Sequence, residues 1–186
     1  VFASSAHVYS PGKHPHTAEE ALGPKDFYGL TKKVCEDLIA YYNNKNGFRF
    51  AVLRFFNIYG PGQSNGFLLP DVIEKYKSDK KVEIYNPEAV RDFLHIEDAV
   101  RALVAVAEVD GTFNIANGTT TKVGDIYKMV KEELGWKPGD EEVIGSERDA
   151  LMANISKAQR EMGWRPKISL REGIRDVIKF YIMPGK

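Results

Sequence analysis

Tyr28 and Lys32 stand four residues apart in Tyr28-Gly29-Leu30-Thr31-Lys32. On a helix that spacing puts both side chains on one face. An ammonium beside a phenol favours the phenolate, which converts a tyrosine into a group able to take a proton. The spacing alone is common, and a surface helix carrying an aromatic and a lysine would show it too. The upstream stretch Ser4-Ser5-Ala6-His7-Val8-Tyr9 adds weight, because it follows apolar Val1-Phe2-Ala3, which reads as the end of a buried strand. Doubly wound sheets bind ligands at the carboxyl ends of their strands. A strand-end Ser5 with Tyr28 and Lys32 on the next helix is therefore expected to act as a proton-handling trio.

Other residue types are less telling. Arg91, in Arg91-Asp92-Phe93-Leu94-His95-Ile96-Glu97-Asp98, has the planar fork that matches phosphate oxygens, and a surface ion pair with Asp98 is the alternative. His7, His14, His16 and His95 invite a metal reading. No cysteine or carboxylate is recognised at ligand spacing with them, so no metal is expected and loop and structural roles are favoured. Cys35 follows Tyr28 and Lys32 at helical spacing and is expected to be a small buried hydrophobe.

The elements that must position these residues alternate in type. A loop rich in Pro, Gly and His covers 10–23, and a helix is expected over 26–43 with Leu30, Val34, Leu38 and Tyr41 on one face, stopped by Gly47. Phe50-Ala51-Val52-Leu53 reads as a buried strand ending near Phe56. A helix over 69–77 and a short strand over 82–85 follow. Residues 97–108 are amphipathic, with Val100, Leu103, Val104 and Ala107 on one stripe. A strand over 112–116 leads to a helix capped by Thr121 and ended by Gly135. Helices over 156–162 and 170–181 close the chain. Strands alternating with helices predict an α/β fold with a parallel sheet.

Composition excludes several function classes. Lys plus Arg and Asp plus Glu are both 26 in the 186 residues, so no bulk charge attracts nucleic acid or an anionic membrane surface. No apolar run approaches the length of a membrane span, and no secretory signal opens the chain. The lone cysteine cannot form an internal disulfide, which fits a reducing compartment, and a cytoplasmic location is expected. Two glycosylation sequons, at Asn117 and Asn154, are read as chance matches. The opening Val1-Phe2-Ala3-Ser4-Ser5, without Met, is expected to belong to a longer chain.

Taken in order, four motifs resemble the extended short-chain dehydrogenase/reductases, and within them the epimerases and dehydratases of nucleotide sugars. Ser5 with Tyr28-x-x-x-Lys32 matches their Ser/Thr and Tyr-x-x-x-Lys arrangement, with Ser5 directly before Ala6 as in the epimerases. Leu53-Arg54-Phe55-Phe56-Asn57-Ile58-Tyr59-Gly60-Pro61-Gly62 resembles the segment after the next strand, and Arg91 to Asp98 resembles a further signature. Ser156-Lys157-Ala158, Met162-Gly163-Trp164-Arg165-Pro166 and Leu170-Arg171-Glu172-Gly173 resemble the closing segment, in which Trp164 is expected in the core of the smaller domain.

The resemblance implies the carboxyl-terminal part of a Rossmann-like doubly wound parallel sheet plus a smaller α/β substrate-binding domain. The division expected is 1–60 and 95–116 for the NAD(P)-binding part, and 61–94 and 117–186 for the nucleotide-sugar part. It also implies NAD as cofactor, NADP not being excluded, and a nucleotide-sugar substrate. Tyr28, Lys32 and Phe55 would meet the nicotinamide end. Ser5, Asn57, Leu68, Arg91 and Arg148 would meet the substrate, with Arg91 and Asn57 on its diphosphate. A homodimer through the Tyr-bearing helix is expected. The reaction implied is epimerisation at carbon 4 through a transient keto-sugar. Dehydration, reduction or decarboxylation on the same scaffold, and a non-catalytic dinucleotide-sensing module, are the alternatives. Three departures stand out. The glycine-rich dinucleotide-binding loop is not in the sequence, so the chain alone is expected to be inactive. Gly145-Ser146-Glu147-Arg148-Asp149 replaces an Arg-Pro-Gly-Asp-like stretch, and Phe67 replaces a substrate-contacting Asn ahead of Leu68 and Pro70. Dehydratase relatives carry an Asp-Glu pair after the catalytic Ser/Thr, where this chain has Ala6 and His7.

Overall fold

The computed structural model describes residues 1–12, 14–77, 81–136, 141–146 and 149–182. Three parallel strands form the central sheet in the order β1-β2-β3: β1 (Phe2–Ser5), β2 (Ala51–Phe55) and β3 (Gly111–Ile115). Every residue of β2 is buried, as expected for a middle strand covered on both faces. Between β1 and β2 runs α1 (Phe27–Asn46). Asp26 caps it by accepting the Gly29 N–H, and Gly47 ends it in the left-handed conformation at φ 65°, its N–H bonded to Asn43 O. A helix α2 (Ile96–Ala105) precedes β3 and starts at His95, whose Nδ1 accepts the Glu97 N–H.

The sheet's core joins Leu53, Phe55, Leu94, Ala99, Ala102, Phe113 and Ile115 to Ala158, Met162 and Trp164. Trp164 therefore packs with the sheet and not in the second cluster, and its Nε1 donates to Asp98 O at 3.1 Å. That second cluster is built from α3 (Leu68–Lys77), α4 (Val123–Leu134) and α5 (Leu170–Ile182), with Ile73, Val82, Ile126, Val130, Ile174 and Val177 at its centre. Short strand pairs lace its edges, including Asn57–Tyr59 with Phe93–His95 and Val82–Tyr85 with Glu141–Ile144.

Four local expectations change. The stripe Leu30, Val34, Leu38, Tyr41 on α1 is exposed, and the buried positions are Gly29 and Glu36. On α2, Val100, Leu103 and Val104 are exposed while Asp98, Ala99 and Ala102 are buried, because the helix lies on the sheet through its small residues. Thr121 does not cap α4. It pairs with Arg91 in a two-residue strand, and Lys122 takes the cap position without a side-chain bond. Cys35 is half-buried, one place from the position that Glu36 occupies inside.

Candidate functional site

Beside the carboxyl end of β1 lies an open cleft of ≈ 1180 Å³. Its walls include Ser5, Tyr28 and Lys32, and also Phe55, Asn57, Leu68 and Arg91. Seven of the eight candidate residues thus border one cavity, although they come from five separated stretches of sequence. The eighth, Arg148, lies outside the described residues.

Ser5 is buried at the start of a single 3-10 turn, where its Oγ accepts the His7 N–H at 3.2 Å. The hydroxyl proton remains available to a second group. Helix α1 approaches that turn closely. A Cβ built on Gly29 would sit 2.1 Å from His7 O, so only glycine lets the first turn of α1, which carries Tyr28, settle there. His7 and Asp26 reinforce the contact with a 2.6 Å hydrogen bond, and the His7 ring meets Tyr28 edge-on at 5.5 Å between centroids. The Gly29 N–H, then His7, hold the Asp26 carboxyl below its ordinary range. The His7–Asp26 pair was not foreseen from the sequence, since the two residues are nineteen apart and meet only through the turn.

Tyr28 is half exposed, with its ring facing the cleft side of α1. Lys32 Nζ lies 5.7 Å from the Tyr28 ring centroid and donates to Ala3 O at 2.8 Å. One of its three N–H groups is spent on β1, which fixes the ammonium at the strand end and leaves two for a ligand.

A buried ladder underneath locks α1 to the sheet. Glu36 accepts from Ser4 Oγ at 2.5 Å and from Arg54 Nη2 at 2.6 Å, and Arg54 Nη1 donates to Tyr9 OH at 2.8 Å. Tyr9 OH donates onward to Asn114 Oδ1 at 2.6 Å. Arg54 lies in a strand whose other residues are apolar, and no local pattern marks its partner on α1. The ladder spans β1, β2, β3 and α1, so it holds Ser5 and the Tyr28 helix in register.

On the cleft's far wall, Arg91 pairs with Asp149 through Nη2 at 2.7 Å, not with Asp98. Asp98 is fully buried and is paired with Arg101, and it accepts the Lys167 and Ile168 N–H groups at 2.8 and 3.0 Å. Asn57 Nδ2 donates to Asp92 O at 3.2 Å. The Asp92 carboxyl is completely buried and accepts from the N–H groups of Asn117 and Gly118 at 2.7 and 2.9 Å. Burial outweighs those two bonds and pushes its pKa up to about 7.

The expectation that no carboxylate accompanies the histidines does not hold. His14, His16 and Glu20 bring their ligand atoms within 4.8 Å of one another, outside the cleft. Residues four apart in a compact loop can meet as they do on a helix, which was the missed signal.

Residues 1–116 match the family described as the NAD dependent epimerase/dehydratase family. A putative UDP-glucose 4-epimerase of Methanocaldococcus jannaschii is 30% identical over 97% of this chain and 62% of its own length. The structure of a UDP-glucose 4-epimerase from Thermotoga maritima, with UDP-glucose, superposes with a TM-score of 0.90 at 27% identity, over 97% of this chain and 62% of that one. A dTDP-glucose 4,6-dehydratase from Bacillus anthracis, in complex with NAD, superposes with a TM-score of 0.91 at 26% identity, over 98% of this chain and 61% of that one. The chain therefore spans about three-fifths of the length of these relatives. Among the described residues no helix is long and apolar enough to cross a membrane.

Proposed function

Because the chain belongs to the NAD dependent epimerase/dehydratase family, we propose that it supplies the proton-handling and sugar-facing part of a cytoplasmic nucleotide-sugar 4-epimerase. The observation that carries this reading is the pair of residues following Ser5 in the cleft wall. Ala6 is buried and has no proton to give, and His7 is committed to Asp26 at 2.6 Å. Eliminating water from carbon 6 needs both an acid for the leaving hydroxyl and a base for the carbon-5 proton. Inverting carbon 4 needs only one group that takes and returns a hydroxyl proton, and Tyr28 suffices. The two solved relatives superpose equally well, so the choice between their activities rests on these residues.

In this mechanism Tyr28, as phenolate, takes the proton from the carbon-4 hydroxyl. Ser5 donates its remaining hydroxyl hydrogen to the same oxygen, and Lys32 keeps the phenolate charge compensated. NAD, when bound, supplies the hydride acceptor and donor for that carbon. The residues fit its nicotinamide end: Lys32 retains two N–H groups for ribose hydroxyls, and Phe55 gives the cleft a flat apolar wall. Arg91 and Asn57 would hold the substrate diphosphate, with Arg91 exchanging Asp149 for phosphate oxygens. Leu68 lines the cleft, and Arg148 is proposed as a substrate contact on resemblance alone. The keto-sugar would have to turn over in the cleft, whose open volume of ≈ 1180 Å³ allows it, before Tyr28 returns the proton to the carbon-4 oxygen. The uncovered apolar stripe of α1 supports a homodimer through that helix.

The test is product analysis. The whole protein is given NAD with UDP-glucose, UDP-N-acetylglucosamine or dTDP-glucose, and products are followed by NMR. Sugars inverted at carbon 4 with carbon 6 still hydroxylated support the proposal. A 4-keto-6-deoxy product would overturn it.

A further inference from the structure

We propose that His14, His16 and Glu20 form a binding site for one divalent transition-metal ion, with zinc the best match to the donors. Two imidazoles and one carboxylate form a ligand set that suits zinc and disfavours magnesium or calcium, which require oxygen donors. The three ligand atoms already lie within 4.8 Å of one another. His16 Nδ1 is 2.5 Å from Glu20 Oε1, and His14 Nε2 is 3.8 Å from Glu20 Oε2. A single ion reaches all three with small side-chain adjustments, and a water would complete a four-coordinate shell.

Two of the three ligands are held in advance. His16 is 1% exposed, and its ring stacks on Tyr9 at 4.5 Å with the planes 5° apart. Its backbone is pinned on both sides, since His16 N–H donates to Met152 O and His16 O accepts from Asn154 N–H, each at 2.9 Å. Glu20 Oε2 accepts the Thr17 N–H at 2.9 Å. His14 is exposed and free to swing onto the ion.

The ion would take His16 Nδ1, the nitrogen that faces Glu20, in place of the present hydrogen bond, and the ring proton would then sit on Nε2. Glu20 is suited to the same ion. Its Oε1 lies toward His16 Nδ1 and its Oε2 toward His14 Nε2.

None of the three residues lines the cleft, so the ion would not take part in sugar chemistry. It would clasp the loop between β1 and α1 onto Tyr9, and through Tyr9 onto the ladder with Arg54 and Asn114. This proposal stands apart from the epimerase reading and uses none of its residues.

The whole protein, stripped with a chelator, is titrated with zinc chloride by calorimetry, and bound metal is counted by elemental analysis after gel filtration. One zinc per chain and a rise in melting temperature on zinc addition are expected. His14→Ala should weaken binding by ~10–100-fold while leaving the metal-free melting temperature unchanged, because the side chain is exposed. Glu20→Gln should weaken binding as well, and His7→Ala should not. Cobalt in place of zinc should give the visible absorption of a tetrahedral site in the parent protein and lose it in His14→Ala. Absence of saturable zinc binding would overturn the proposal. So would zinc binding that His14→Ala leaves intact, or that His7→Ala weakens equally.

Discussion

Replacing Glu36 by Ala should destabilise the protein severely, although Glu36 touches no ligand in the proposed mechanism. The side chain is 8% exposed and its carboxylate receives Ser4 Oγ at 2.5 Å and Arg54 through Nη2 at 2.6 Å and Nε at 3.1 Å. Without it, Arg54 keeps, among the described residues, only Tyr9 OH and Ala18 O, at 2.8 and 3.0 Å, and Arg54 is 5% exposed. Removing one member of a buried ion pair costs ~3–5 kcal/mol, because the other charge is left uncompensated. For a chain of this size 1 kcal/mol shifts the melting temperature by ~2–4 °C, so the expected loss is ~6–20 °C. Calorimetric melting of parent and variant measures it. Adding Arg54→Met to Glu36→Ala should recover a large part of the loss, since the stranded charge goes with it. A shift below ~2 °C, or a double variant with the two single losses simply added, would refute the ladder as a buried, coupled pair.

Three further outcomes follow from the geometry. Gly29→Ala places a Cβ 2.1 Å from His7 O and must push α1 away from the turn after Ser5; it should cost ~1–3 kcal/mol and lower turnover more than substrate affinity, and unchanged melting and turnover would contradict the close approach. Asp92 has a pKa raised from 3.8 to about 7, so the folded state binds its proton more tightly than the unfolded chain. Its contribution to stability is therefore present below pH ~4 and is lost as pH rises through ~7, on the order of 4 kcal/mol; subtracting the stability–pH curve of Asp92→Asn from that of the parent should isolate this fall, and a flat difference would refute it. Arg91→Ala should weaken UDP-sugar binding by ~1.5–3 kcal/mol and leave NAD binding nearly unchanged in paired calorimetric titrations, whereas equal losses for both ligands would remove Arg91 from the diphosphate site.

The elements that were legible in the sequence are those whose partners are generic. Ala51 to Phe55 reads as a strand because apolar residues fill a middle position whatever lies beside them, and β2 is buried throughout. Gly47 and Gly135 were readable as helix ends because a left-handed residue closes a helix without reference to the rest of the fold. The buried faces of α1 and α2 were not legible. Periodicity finds where the large apolar residues are, but the sheet accepts the small ones, so Ala99 and Ala102 face inward while Val100 and Val104 face out. The pair Tyr28 and Lys32 was visible because its spacing is local, and Ser5 because it ends an apolar strand; the cleft lines all three together with Phe55, Asn57, Leu68 and Arg91. Contacts made across distant segments left no signal: Arg54 with Glu36, Arg91 with Asp149, and the meeting of His14, His16 and Glu20 in a loop.

Turnover of Tyr28→Phe in the whole protein, with substrate binding measured on the same samples, tests the proposed role of Tyr28 in handling the proton of the sugar hydroxyl. Proton transfer by a positioned side chain contributes ~10²–10⁴-fold, so turnover should fall by that factor while UDP-sugar affinity stays within a few-fold of the parent. Near-parental turnover in Tyr28→Phe would contradict the claim.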